Sequence, residues 1–148
     1  VAFDVNLGGV DQELTSTAQT LVQFTTARID NDSGWNTNSY RYYPKRIGIW
    51  RLSANLRMNN VDDGIAAMAT ILHHDGSANA IGRNQNSSPA ANLNLGCSPS
   101  GIANVTSTND YFYVNAQHSG GAAGGDTEAV EGATGWCFFS GTWLGEVQ

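Results

Sequence analysis

The chain is poor in charge. Lys, Arg, Asp and Glu make up 14% of its 148 residues, well under the quarter usual in soluble domains. Only 7 residues are basic against 13 acidic, for a net charge of -6. That balance argues against the basic stripe a nucleic-acid partner requires. Cysteine is scarce as well. Cys97 and Cys137 are the only two, too few for a disulfide scaffold and too far apart for a zinc-type spacing. Their neighbours are small or apolar, "LGCSP" and "GWCFF". They read as buried free thiols behaving as small hydrophobes, with a disulfide as the competing reading. No apolar run approaches the roughly 18 residues of a bilayer span, and no charged-then-apolar leader opens the chain, so no membrane partner is expected. The first residue is Val1 rather than Met, as expected of a processed product or an excised domain.

Catalytic signatures are missing too. There is no G-x-S-x-G elbow, no H-E-x-x-H pair and no glycine loop followed by Lys and Ser or Thr. Asp62 and Asp63 follow "NNV" in a stretch that wants to turn. Distant carboxylates of a glycosidase leave no local mark, and that enzyme class stays open. The expectation is a non-enzymatic protein without a cofactor.

What the chain has instead is Gly, Asn, Ser, Thr and Ala, residues that suit strands and loops more than helices. From Trp50 to Met58 the sequence alternates. Trp50, Leu52, Ala54, Leu56 and Met58 share one face; Arg51, Ser53, Asn55 and Arg57 share the other. A period of two marks a strand lying over a core, here predicted over residues 47–58. "VAFDVNL" alternates as well, and so does "DYFYVNAQHS", with Phe112, Val114 and Ala116 set against Tyr111, Tyr113 and Asn115. "IAAMATILHH" has helix-forming residues, but it is ten residues long and bounded by "DDG" and "DG". It reads as a strand joined to "ANAIGRNQNSS" by a hairpin at Asp75–Gly76. "NLNLGCSPSGIANVTS" carries two strand pieces around a bend at Ser98–Gly101, and "TGWCFFSGTWLG" is the last strand. The predicted fold is all-β, a single antiparallel sandwich or jelly roll of about eight to ten strands spanning 1–148. Its predicted core contains Phe3, Phe24, Trp50, Leu52, Leu56, Phe112, Val114 and Phe139.

Several stretches together carry a family resemblance: "VAF" at the start, "DQELTSTAQTLVQFTTARID" running into "DSGW", "YRYYP" before "GIWRLSANL", "HHDG", "NDYFYVNAQHSG" and the closing "FFSGTWLG". The sequence resembles the globular head of complement component 1 subcomponent q, which shares the jelly roll of tumour necrosis factor, and within that group the bacteriophage type. Trp50 stands where the family usually has Tyr. Asp75–Gly76 stands for Asn-Gly, and Asn109–Asp110–Tyr111 for Gly-Asp-Tyr, while Phe139–Ser140–Gly141 keeps the terminal motif. The resemblance implies a homotrimer used as a contact module on a virion surface. Expected partners are other virion proteins such as the major capsid protein or, alternatively, host surface polysaccharide. Capsid decoration or cementing is the leading reading, favoured if the chain is a complete gene product, since a fibre tip normally follows a repetitive shaft; an excised domain would favour the tip. A tail-fibre or spike tip is the alternative, and a secreted lectin-like module comes third. The implied jelly roll also places the two cysteines on strands flanking the same central strand, beyond disulfide reach.

Within that frame the candidate sites are few. "DNDSG" offers Asp30 and Asp32 as weak metal ligands, against the simpler reading of turn chemistry. His73 and His74 are adjacent and point to opposite faces of a strand, so a metal there would need a partner such as His118. Arg51, Asn55 and Arg57 are predicted at the trimer interface, since guanidinium groups among short polar residues suit a packed polar contact. Trp35, Tyr40, Tyr42 and Trp143 are predicted at partner or glycan contacts, as aromatics in excess of one small core. The loop "SGGAAGGDTEAVEGA" reads either as a contact loop or as a solvated insert.

Overall fold

The computed structural model describes residues 1–14, 18–61, 63–90, 93–119, 129–132 and 135–147. Among them there is no helix. The strands are β1 (Ala2–Asn6), β2 (Gln12–Glu13), β3 (Thr20–Leu21), β4 (Thr26–Asp30), β5 (Trp35–Asn36), β6 (Arg41–Tyr42), β7 (Gly48–Val61), β8 (Ala66–His74), β9 (Ala78–Ser87), β10 (Leu93–Cys97), β11 (Ser100–Val105), β12 (Tyr111–His118), β13 (Ala129–Val130) and β14 (Phe138–Gly145). Nine of the 14 are five residues or longer; the rest are two-residue pairings at sheet margins, too short for a sequence pattern to register.

The strands form two antiparallel sheets. The eight-stranded sheet runs β2-β13-β7-β14-β1-β4, with β10 and β11 also on β7. Both β11 and β14 pair with the first half of β7, so they lie along its opposite edges, and β10 and β13 continue those edges along its second half. The predicted bend at Ser98–Gly101 is thus a short interruption at Ser98–Pro99 between two pieces on one edge, bridged by the Ala54 N–H donating to Pro99 O at 3.0 Å. The six-stranded sheet runs β5-β6-β12-β8-β9, with β3 on β12.

The sheets close face to face over the alternating residues. Phe3, Phe24, Trp50, Leu52, Leu56, Phe112, Val114 and Phe139 are all within 1% of full burial. Tyr42 joins them. Its ring stacks on Phe3 at 3.9 Å and 17° and lies 5.5 Å from Trp50. This corrects its expected place at a partner or glycan surface. In the one-residue pairing of β6 with β12, Tyr42 sits opposite Phe112 and therefore on the inner face. Burial, with Asp30 and Asp32 adding to it, pushes the Tyr42 phenol well above its ordinary range.

Two close approaches fix the frame. The chain turns out of the corner through buried Pro44 and enters β7 at Gly48, where φ is +124° and a Cβ would lie 2.2 Å from Gly145 O. Only glycine tolerates both. At one side of the sandwich β9 and β11 meet edge to edge. A Cβ on Gly82 would sit 2.4 Å from Ser100 O, and one on Gly101 would sit 2.1 Å from Ile81 O.

Both cysteines are free and buried. Cys97 pairs opposite Leu56 across one edge of β7. Cys137 lies beside the other edge, accepting the Arg57 N–H at 3.1 Å. Burial raises both thiols, Cys137 to about 11. The glycine-rich stretch 120–128 lies outside the described residues. Of the residues that follow, Ala129–Val130 pairs with β2 and β7, and Val130 is fully buried.

Candidate functional site

The two sheets present outer faces of different chemistry. On the eight-stranded sheet, register places Arg51 between Ile102 and Thr142, and Ser53 between Ser100 and Ser140. The hydroxyls of Ser53 and Ser140 are hydrogen-bonded at 2.9 Å. Asn55 lies opposite Phe138; its Oδ1 accepts from Ser98 Oγ at 2.6 Å and its Nδ2 donates to Trp136 O. Arg57 pairs with Glu131 at 3.0 Å, and its guanidinium carbon lies 4.9 Å from the Trp136 ring centre. Of the three predicted interface residues, Asn55 and Arg57 are thus engaged within the chain. Arg51 is exposed and has no carboxylate in ion-pair range among the described residues.

The large exposed apolar side chains among the described residues are Val10, Ile29, Ile47, Leu93, Ile102, Trp136, Leu144 and Val147. Every one lies in a strand of the eight-stranded sheet or within two residues of one. Sequence reading missed this, because Ile102 at 61% exposure looks in isolation like a core residue.

The six-stranded sheet differs. No strand of it contains Asp or Glu. Its outward residues include Tyr111 and Tyr113 on β12, paired with His74 and Leu72 on β8. His74 stacks on Tyr111 at 4.5 Å and 7°. The Arg41 guanidinium carbon lies 4.4 Å from the Tyr111 ring centre and 5.8 Å from that of Tyr113. Burial raises the Tyr113 phenol, with Tyr111 adding and Arg41 opposing. This cluster takes none of the aromatics expected at a contact surface. Of those, Trp35 is half-buried with its ring edge-on to Phe24 at 6.4 Å, Tyr40 is half-buried with φ +54°, and Trp143 packs against the core while its Nε1 donates to Ile47 O at 3.1 Å.

The remaining candidates resolve into structural chemistry. Asp30 Oδ1 and Oδ2 accept the N–H groups of Gly34 and Trp35 at 2.9 and 3.0 Å, and Asp32 pairs with Arg46 at 3.3 Å. These carboxylates hold the turn before the corner. Among the described residues no three His, Cys, Asp or Glu side chains converge on a metal position. His73 points inward, with Nε2 3.4 Å from Asp110 Oδ2, and the same oxygen accepts the N–H groups of Thr106 and Ser107 at 3.0 and 3.3 Å. Asp110 therefore ties the β11–β12 turn.

No protein-family model matches the chain, and no curated protein matches it. Solved structures do. The globular domain of zebrafish complement 1qA protein superposes with a TM-score of 0.68 at 9% identity, covering 99% of this chain and 98% of that one. Eiger TNF from S. frugiperda gives 0.69 at 10% identity, over 100% and 94%. Murine APRIL gives 0.71 at 11% identity, over 97% and 98%. The fold is the complement 1q and tumour-necrosis-factor jelly roll. At these identities the likeness is one of fold alone.

Proposed function

We propose that this chain is a non-enzymatic homotrimeric module of a bacteriophage particle, exposed on the virion surface, where it decorates or cements the capsid. One observation carries the trimer: among the described residues, all the large exposed apolar side chains lie in the eight-stranded sheet or on its flanks, with Ile102 beside unpaired Arg51 and a row of serines at the centre. Large exposed apolar side chains confined, among the described residues, to one sheet and its flanks are the distribution expected when that side is covered by neighbouring copies. Ser53, Ser100 and Ser140 are small enough to let a second surface approach closely. The particle role rests on the sequence resemblance.

A second reading, the host-polysaccharide-binding tip of a fibre or spike, is supported by the rings and guanidinium on the other sheet. Two experiments test the leading reading. Ile102→Asp is expected to convert the trimer to a folded monomer, read by light scattering with a circular dichroism control; an unaltered trimer removes this face from the interface. Peptide mass spectrometry of purified particles is expected to find the chain among capsid proteins, and its absence there overturns the virion role.

A further inference from the structure

We propose that the outer face of the six-stranded sheet binds an acidic polysaccharide through its sugar carboxylates. Two arginines stand on this face. Arg41 lies against Tyr111, its Nε is buried without an acceptor, and no carboxylate among the described residues is within ion-pair distance. A guanidinium stacked on a ring keeps its N–H edge free for bidentate pairing with a carboxylate. Arg83 on β9 lies opposite Thr70 of β8, which lies opposite Asn115 of β12. It is exposed and likewise without a carboxylate partner among the described residues. Three strand spacings separate the arginine positions, roughly 15 Å.

The surroundings select the ligand. The chain has 13 acidic residues, yet the strands of this sheet carry none; the carboxylates next to them in the chain, Asp75 and Asp110, are engaged by Asn79 and by the N–H groups of Thr106 and Ser107. Tyr113 and the side of His74 turned away from Tyr111 offer ring surface to the polarised C–H groups of a sugar ring, Tyr111 itself being held between Arg41 and His74. Gln85 and Asn115 Oδ1 offer amide groups to its hydroxyls, while Asn115 Nδ2 donates to Gln19 Oε1 at 3.2 Å. A protein partner is disfavoured because the sheet exposes no large apolar side chain to form a dry interface core. Nucleic acid is disfavoured because two arginines on a chain of net charge -6 neutralise too few phosphates. The site is independent of which particle role the trimer performs.

The test is calorimetric titration with oligogalacturonate, which carries one carboxylate per sugar, against neutral dextran oligosaccharides of equal length. Amide chemical shifts then locate the site. Oligogalacturonate is expected to bind and to move amides of β8, β9 and β12 but not of β7 or β14. Dextran is expected to bind far more weakly, and about 0.5 M salt to weaken the acidic ligand. Arg41→Lys keeps the charge and loses the stacked fork; with Arg83→Ala it is expected to lower affinity by about tenfold at an unchanged melting temperature. Arg83→Ala alone, at an exposed position, is expected to show part of that loss, and Arg51→Ala none. Absence of oligogalacturonate binding, equal binding of dextran, or full affinity in the double variant overturns the proposal. A trimer that persists with no binding overturns it and leaves the assembly standing.

Discussion

At the scale of single residues, burial separates side chains that look alike in the sequence. Trp50 is fully buried against Tyr42 and Phe112 and donates its Nε1 to Arg46 O at 3.1 Å. Trp35 is only half-buried on Phe24. Trp50→Ala is therefore expected to cost about 3–5 kcal/mol. Trp35→Ala should cost clearly less but not zero, about 1–2 kcal/mol. Urea melts of both variants check the ranking, and equal losses would contradict it.

The thiols give a pH dependence. Burial raises the Cys137 thiol to about 11 from an ordinary 9.0, so the folded state holds this proton more tightly than the unfolded chain. The stabilisation is complete below about pH 9 and is lost as pH rises through about 11, on the order of 2 kcal/mol for this group. Denaturant melts at about pH 8, 9.5 and 10.5 should show stability falling only over the last two. Cys137→Ala should flatten part of that fall. Both thiols should resist a thiol reagent in the folded protein near pH 8 and react once it unfolds; reaction in the folded protein would place them at the surface.

At the scale of elements, legibility in the sequence followed exposure on one face. β7 and β12 are half-covered, their residues alternate, and their phase could be read directly. β8 is covered on both sides. Its outward residues Met68, Thr70 and Leu72 are shielded as well as its inward ones, with Arg83 Nε lying against Met68 Sδ. It reads as a continuous apolar run that only its bounding turns distinguish from a helix. Tyr42 was misplaced for a related reason. A two-residue strand has no period, so nothing local says which of Arg41 and Tyr42 points inward. The Arg41–Tyr111–His74 cluster was illegible because it is assembled from three strands whose neighbours are set by sheet order. The glycines of β9 and β11 were equally silent, since their need is for space and not for a turn. Gly101→Val should force a side chain into Ile81 O and prise the two sheet edges apart, costing several kcal/mol, whereas Gly96→Ala, with nothing within 4 Å of its Cβ position, should cost little. Thermal melts of the pair test the closure; similar melting temperatures would contradict it.

At the scale of the whole molecule, the two sheets divide the labour by composition. The strands of one sheet carry no carboxylate and bring rings and two arginines to their outer face; the large exposed apolar groups among the described residues all lie in, or within two residues of, strands of the other sheet, whose outer centre holds serines and one unpaired arginine. A monomer showing the second face to water would have no reason to gather its apolar residues there. Three copies turned towards a common axis would cover them and leave the first face outward. The mass of the native protein in solution is the most direct test, by light scattering at micromolar concentration. The account predicts three times 15.7 kDa, unchanged on dilution through that range. A stable species of 15.7 kDa would contradict it.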